Sequence, residues 1–201
     1  MHKRHATTLA LVLFVSSALF ATDTPQKRDP AAEQKAQMEA MTRAGTPGEP
    51  HKKLNAMVGT FDANIKMWMA PGTKPTESAG KSVNEWVLGG RWVQQRFDGN
   101  FMGMPFSGLG YTGYDNVKHS YVGTWMDNMS TSVMTSSGNP DASGKVYFFT
   151  GLMSDPMSGE PSSVEEKVTV VDNDHHTMEM WGAGQDGNMY KMMEINYTRK
   201  K

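Results

Sequence analysis

The chain is 201 residues long, carries 20 basic against 21 acidic residues for a formal charge of −1, and contains 18 methionines but no cysteine. The missing cysteine excludes a disulfide scaffold, an iron–sulfur centre, a thiol enzyme and a lipoprotein anchored through that residue. Near-balanced charge, with no long run of either sign, argues against nucleic acid or an anionic membrane as partner.

The first segment is an address. "MHKRHATTLALVLFVSSALFA", residues 1–21, has basic Lys3 and Arg4, then an uncharged apolar run from Thr8 to Phe20, with small residues where cleavage would fall. It reads as a signal peptide, and the run is too short to span a bilayer comfortably. The mature protein is therefore expected to be periplasmic or secreted, with no membrane insertion after cleavage. Losing the signal removes two basic residues and leaves 18 basic against 21 acidic, a charge of −3.

Residues 22–50 are expected to form a polar tether, helical in part. Asp29 can cap a helix that has Pro30 in its first turn and runs through "PAAEQKAQMEAMTRA", before "GTPGEP" breaks it. A barrel domain is expected over 51–201. At its start Leu54, Met57 and Val58 fall at helical spacing and Gly59 stands where a helix stops, predicting a short helix that plugs or abuts the strands after it.

From Gly59 onward the period changes to two. Ten segments, from "TFDANIKMWMA" to "NMYKMMEINYTRK", alternate with turn signals such as "PGTKP", "GG", "DN", "GNPDASG" and "GQDG". No helical pattern interrupts them, which argues against parallel β-α-β units. Long strands joined in sequence by short turns make a meander, which loses its exposed edges by closing. The fold class is all-β: an antiparallel up-and-down β-barrel of about ten strands, preferred to a sandwich because long crossover connections are scarce.

The stretch from Leu88 to Asn116 is dense in glycine and aromatic rings. A phosphate-binding loop would need a helix after it, and here a strand comes next. Gly108 and Gly110 share a face with Phe106 and Tyr114, as Gly123 does with Tyr121 and Trp125. Glycine in a strand marks a bend or a close approach, and aromatic rings can cover the gap.

"LGGRWVQQRF", "GMPFSGLGYTGYDNVKHSYVGTWMDNMST" and "DPMSG" resemble the hallmark segments of an exported bacterial family known only as a domain of unknown function, whose members resemble lipocalin-like (calycin) β-barrels. The resemblance covers roughly His51 to Arg199 and implies a barrel, but no activity. Lipocalins begin with a G-x-W beside a short helix, and a late basic residue packs across that ring. Gly59-Thr60-Phe61 stands at the matching place, with phenylalanine for tryptophan, and the resemblance implies that Arg199 packs on Phe61. Nitrobindin-type haem barrels share the architecture, but their motifs find no match here, and no cofactor is implied.

Few residues suggest chemistry. Asp172, Asp174, His175 and His176 offer metal-ligand types, yet adjacent strand residues point to opposite faces, so a solvated turn is the simpler reading and no metal site is assigned. No G-x-S-x-G elbow precedes a helix, and Glu165 and Glu166 fall on opposite faces, so no catalytic set is assigned. Asp115 and Asp127 read as turn caps. The methionines suit core packing or an adaptable pocket, with Cu(I) binding through thioethers as the rival use.

The leading expectation is non-covalent binding of a small apolar molecule inside the barrel, since ten strands leave more room than eight. Candidate ligand-binding residues are Trp86, Trp92, Phe106, Tyr111, Trp125, Tyr147 and Trp181, with Arg91 or Arg96 as a polar anchor. A periplasmic enzyme acting on a small molecule, a methionine-based Cu(I) handling protein and a barrel filled by its own side chains remain as alternatives.

Overall fold

The computed structural model describes residues 29–156, 158–184 and 186–201; the signal segment lies outside the described residues. Helix α1 (Pro30–Gly45) starts where Asp29 accepts a hydrogen bond at 3.0 Å from the Ala31 amide, and it has no buried residue. Its alanine-rich sequence carries no apolar stripe wide enough to pack. A one-turn helix, α2 (Glu49–Lys52), runs into a 3-10 turn at Lys53–Met57. The short helix expected before the barrel is therefore split, with its second half tightened to 3-10 geometry, a form that serves short connectors.

The rest of the chain is ten strands: β1 (Gly59–Met67), β2 (Thr76–Val87), β3 (Trp92–Phe101), β4 (Met104–Asp115), β5 (Ser120–Asp127), β6 (Met134–Pro140), β7 (Val146–Ser154), β8 (Pro161–Val170), β9 (His175–Ala183) and β10 (Met189–Arg199). Each pairs antiparallel with its sequence neighbours, and β1 pairs with β10 from Phe61↔Arg199 to Met67↔Met193, closing the barrel. Closure satisfies both edges of the meander. The β3–β4 hairpin turns on Met102 (φ 50°) and Gly103 (φ 84°), the left-handed pair that a two-residue primed turn requires. β6 runs further than expected: it extends through Gly138 to Pro140, into the "GNPDASG" segment that reads as a turn. Gly138 permits this, because a Cβ there would lie 1.8 Å from the Phe148 carbonyl oxygen on β7.

Alternation sorts side chains into two faces. Phe61, Ala63 and Ile65 on β1, with Ile195 and Tyr197 on β10, are buried inside, while Asp62, Asn64 and Lys66 face outward or toward solvent. The same alternation accounts for the glycines of β4. A Cβ on Gly108 would meet Trp125 Cζ2 at 2.2 Å, and one on Gly110 would meet Trp125 Cε3 at 3.0 Å. The indole of β5 thus lies flat across the inner surface that the two glycines leave bare.

One end of the barrel is closed. Leu54 is fully buried and packs with Val93, Tyr121, Tyr147 and Phe149. The plug is pinned by side chains from the wall. Tyr121 Oη donates to the Pro50 carbonyl at 2.8 Å, Asn84 Nδ2 to the Met57 carbonyl at 2.7 Å, and Trp86 Nε1 to Asn55 Oδ1 at 2.8 Å. Arg199 donates to the carbonyls of Val58 (2.7 Å) and Ala56 (3.1 Å). These bonds take up carbonyls at the end of the 3-10 turn that would otherwise be left without donors.

Candidate binding cavity

Above the plug the barrel encloses a cavity of about 470 Å³, within the range of roughly 300–1,000 Å³ usual for small-molecule sites. Its floor is formed by Leu54, Met57, Val93 and Tyr147. Its far end is ringed by residues at the opposite strand ends: Met67 of β1, Phe101 of β3, Phe106 of β4, Trp125 and Asp127 of β5, and Met153 of β7. The wall is mainly apolar. Met57, Met67, Met129, Met134, Met153, Met178, Met180 and Met193 all line it, which accounts for much of the unusual methionine content. Unbranched thioether side chains give such a wall an adaptable shape.

Several polar groups on the inner face are held by one another. Ser82 Oγ donates to Asn84 Oδ1 at 2.7 Å, and Gln95 Nε2 donates to Ser82 Oγ at 3.0 Å and to Tyr197 Oη at 3.4 Å. Burial pushes the Tyr197 hydroxyl up to about 12, with the nearby Glu166 carboxyl adding to the shift against the Gln95 hydrogen bond. Glu166 on β8 is half-buried and lines the cavity. Burial pushes its carboxyl above the ordinary range, partly offset by a hydrogen bond with Ser136.

His176, the second residue of β9, is 5% exposed. It stacks on Tyr197 (centroids 4.4 Å apart, planes at 16°) and meets Phe61 edge-on at 4.6 Å. Burial, with the Arg199 charge behind it, lowers its imidazole to about 4. Its Nδ1 is buried without a hydrogen-bond partner. His175 turns the other way, pairing through Nδ1 with Asp172 at 2.9 Å in the exposed turn, so the adjacent histidines do face opposite sides. Asp127, at the mouth, accepts from Trp125 Nε1 and from the Met129 amide, both at 3.0 Å.

The structure divides the residues singled out in the sequence. Phe106, Trp125 and Tyr147 line the cavity. Trp86 shares the inward parity of β2 but lies at the closed end, held by Asn55. Trp92 faces outward and covers Gly113, whose Cβ would sit 2.8 Å from its ring. Tyr111 is outside as well, accepting a hydrogen bond from Gln94 at 2.7 Å. Arg96 faces Glu85 on the outer surface at 3.5 Å, and Arg91 in the β2–β3 turn donates to the Leu88 carbonyl. Trp181, cross-strand from Glu165 and Lys191, also lies on the outer wall. Neither arginine reaches the interior, so the anchor expected from them is absent from the cavity among the described residues. Of the ionisable groups that do reach it, Glu166 is not among the candidates that the sequence suggests. Its signal is the inward parity it shares with Val164 and Val168 in "VEEKV".

These features define a class: a closed, ten-stranded, calycin-like β-barrel, plugged at one end and hollow toward the other. The chain belongs to the family described as "Protein of unknown function (DUF1579)", whose model matches residues 46–199. Among solved structures it is similar to Rv2717c from M. tuberculosis, at 12% identity and a TM-score of 0.58, over 78% of this chain and all of that one. At that identity the likeness concerns the fold alone. A redesigned β-barrel aligns at 13% identity over 74% of this chain and 96% of its own, with a TM-score of 0.38. None of the curated proteins matches.

Proposed function

We propose that the protein binds a small, largely apolar molecule non-covalently inside its barrel. The observation that carries this reading is the cavity of about 470 Å³, walled by methionine and aromatic side chains beneath a ring of strand ends. A barrel serving only as a scaffold gains by filling that space, because an unfilled apolar void forfeits contacts and stability. The closed end of this barrel is filled to that standard, with Phe61, Tyr121, Tyr147 and Leu54 almost fully buried.

The working environment is inferred from the first segment and the outer wall. Residues 1–21 have the pattern of a signal peptide, so the site of action is proposed to be the periplasm or the medium. Charged residues such as Lys66, Lys81 and Glu85 lie on the outer face of an apolar-lined barrel, the reverse of a lipid-facing one. The mature protein is accordingly proposed to act in water.

A neutral apolar dye such as N-phenyl-1-naphthylamine tests the reading. It should bind with one-to-one stoichiometry and brighten. Met180→Trp, which narrows the cavity, should weaken it by about tenfold or more at an unchanged circular dichroism spectrum. Equal binding by both proteins would place the dye elsewhere and overturn the proposal.

A further inference from the structure

Building on that ligand-binding reading, we propose that the cavity selects a lipophilic organic cation, an amine or quaternary ammonium on an apolar body, with its charge held by Glu166 and its path marked by Asp127.

The first support is the sign of the interior. Asp127, Glu166 and His176 line the cavity, and among the described residues no lysine or arginine does. The basic side chains of the neighbouring strands are committed elsewhere. Lys167 and Lys191 pair with Glu179 at 3.0 Å on the outer wall, Arg96 faces Glu85, and Arg199 holds the plug. A carboxylate ligand would meet carboxyl groups and no cation, in a low-dielectric space where like charges repel strongly. A cationic headgroup finds the opposite.

The second support is the position of Glu166. It faces the cavity from the middle of β8, between Phe149 of β7 and Met180 of β9 by register. No cation of the described residues pairs with it, and its hydrogen-bond partner is Ser136. A buried carboxyl without a counter-charge lowers stability unless it is neutral or compensated. Its retention amid methionine and phenylalanine makes sense if a bound cation completes the pair. Burial raises the proton affinity of the unpaired carboxyl, and a bound cation would offset that effect.

The third support is the wall itself. Phe106 and Trp125 lie nearly parallel with centroids 6.5 Å apart, and Phe97 packs edge-on to Phe106 at 6.0 Å. Aromatic faces attract desolvated cations, and polarizable thioethers accept an alkyl or ring body without demanding a shape. Asp127, fixed by two N–H donors at the mouth, supplies a preorganised negative charge for entry.

Three probes with one tail separate the possibilities: decyltrimethylammonium, decanol and decanoate, each used to displace the neutral dye from the intact exported protein. The expected order is cation, alcohol, carboxylate. The cation should be ahead of the alcohol by roughly tenfold or more, the scale of one desolvated cation contact. Glu166→Gln should shrink the cation-to-alcohol ratio toward one. Decanoate binding as tightly as the ammonium, or a cation preference that survives Glu166→Gln, would overturn the proposal while leaving a ligand-binding barrel. The wild-type ranking decides even if the variant folds poorly. Dye that never binds would remove the cation proposal together with the reading beneath it.

Discussion

The Arg199 guanidinium lies 4.6 Å over the ring of Phe61, the residue it faces across the β1–β10 seam. Its Nη atoms donate to the Val58 and Ala56 carbonyls, and its Nε donates to the Asn173 carbonyl at 2.8 Å. One side chain therefore ties together the closing seam, the plug and the β8–β9 turn. The arrangement implied by resemblance to the lipocalin G-x-W corner is present here with phenylalanine as the covered ring.

Arg199→Lys keeps the charge but loses the planar fork that serves three carbonyls at once. With several charge-assisted hydrogen bonds at stake, it should lower unfolding free energy by roughly 2–4 kcal/mol. Urea unfolding would measure this, and a loss below about 0.5 kcal/mol, the size of an ordinary surface change, would show that the plug is held by other contacts.

Gly108→Ala tests the indole platform. The new methyl would meet Trp125 Cζ2 at 2.2 Å, so the ring must lift into the cavity. The expected cost is about 1–3 kcal/mol, with a shift in tryptophan emission and weaker dye binding. The same change at Gly45, where no atom lies within 4 Å of the added carbon and the backbone is not left-handed, should leave emission and dye binding unaltered.

His176 gives the barrel an acid sensitivity of defined sign. Its imidazole is lowered from 6.5 to about 4 in the fold, so the unfolded chain takes up a proton first as pH falls. Its contribution to stability is present above 6.5 and is lost progressively between 6.5 and about 4, to the extent of roughly 3 kcal/mol. His176→Phe should remove that loss. It should be neutral to stabilising at pH 7.5, because the imidazole Nδ1 is buried unpaired. Denaturant midpoints of both proteins at pH 7.5 and pH 4.5 provide the check; an unchanged difference between the two pH values would refute it.

Glu166 has the opposite sign. Its carboxyl is raised in the fold, so its contribution is full below the unfolded value of 4.5 and is lost as pH rises through the folded value. In the empty barrel Glu166→Gln should raise the melting temperature by a few degrees at pH 8 and by much less at pH 4. A variant destabilised equally at both pH values would mean that the carboxyl is an ordinary structural hydrogen-bonding group.

Much of the barrel was legible because period-two alternation and turn residues repeat so regularly. "GTFDANIKM" alternates Phe61, Ala63 and Ile65 with polar neighbours, and the structure buries those three. The inward face of the aromatic strands was not legible. In β3 and β4 rings occur at both parities, since Trp92 and Tyr111 cover the outer wall while Phe97 and Phe106 fill the inner one. Residue type alone could not choose between the faces. Arg91 and Arg96 stand out by flanking a tryptophan, yet an arginine gains more from water and Glu85 than from an apolar interior. Glu166 is easily passed over for the same reason turned round: a carboxylate is expected outside, although the parity it shares with Val164 and Val168 marks its face as the inner one.

Native mass spectrometry of residues 22–201, purified gently from an exported fraction, tests the central claim most directly. The account predicts additional mass of a small organic molecule on the folded protein, absent after denaturation and reduced in Met180→Trp. A bare mass that stays bare after exposure to apolar extracts, or an increment matching a metal ion, would contradict it.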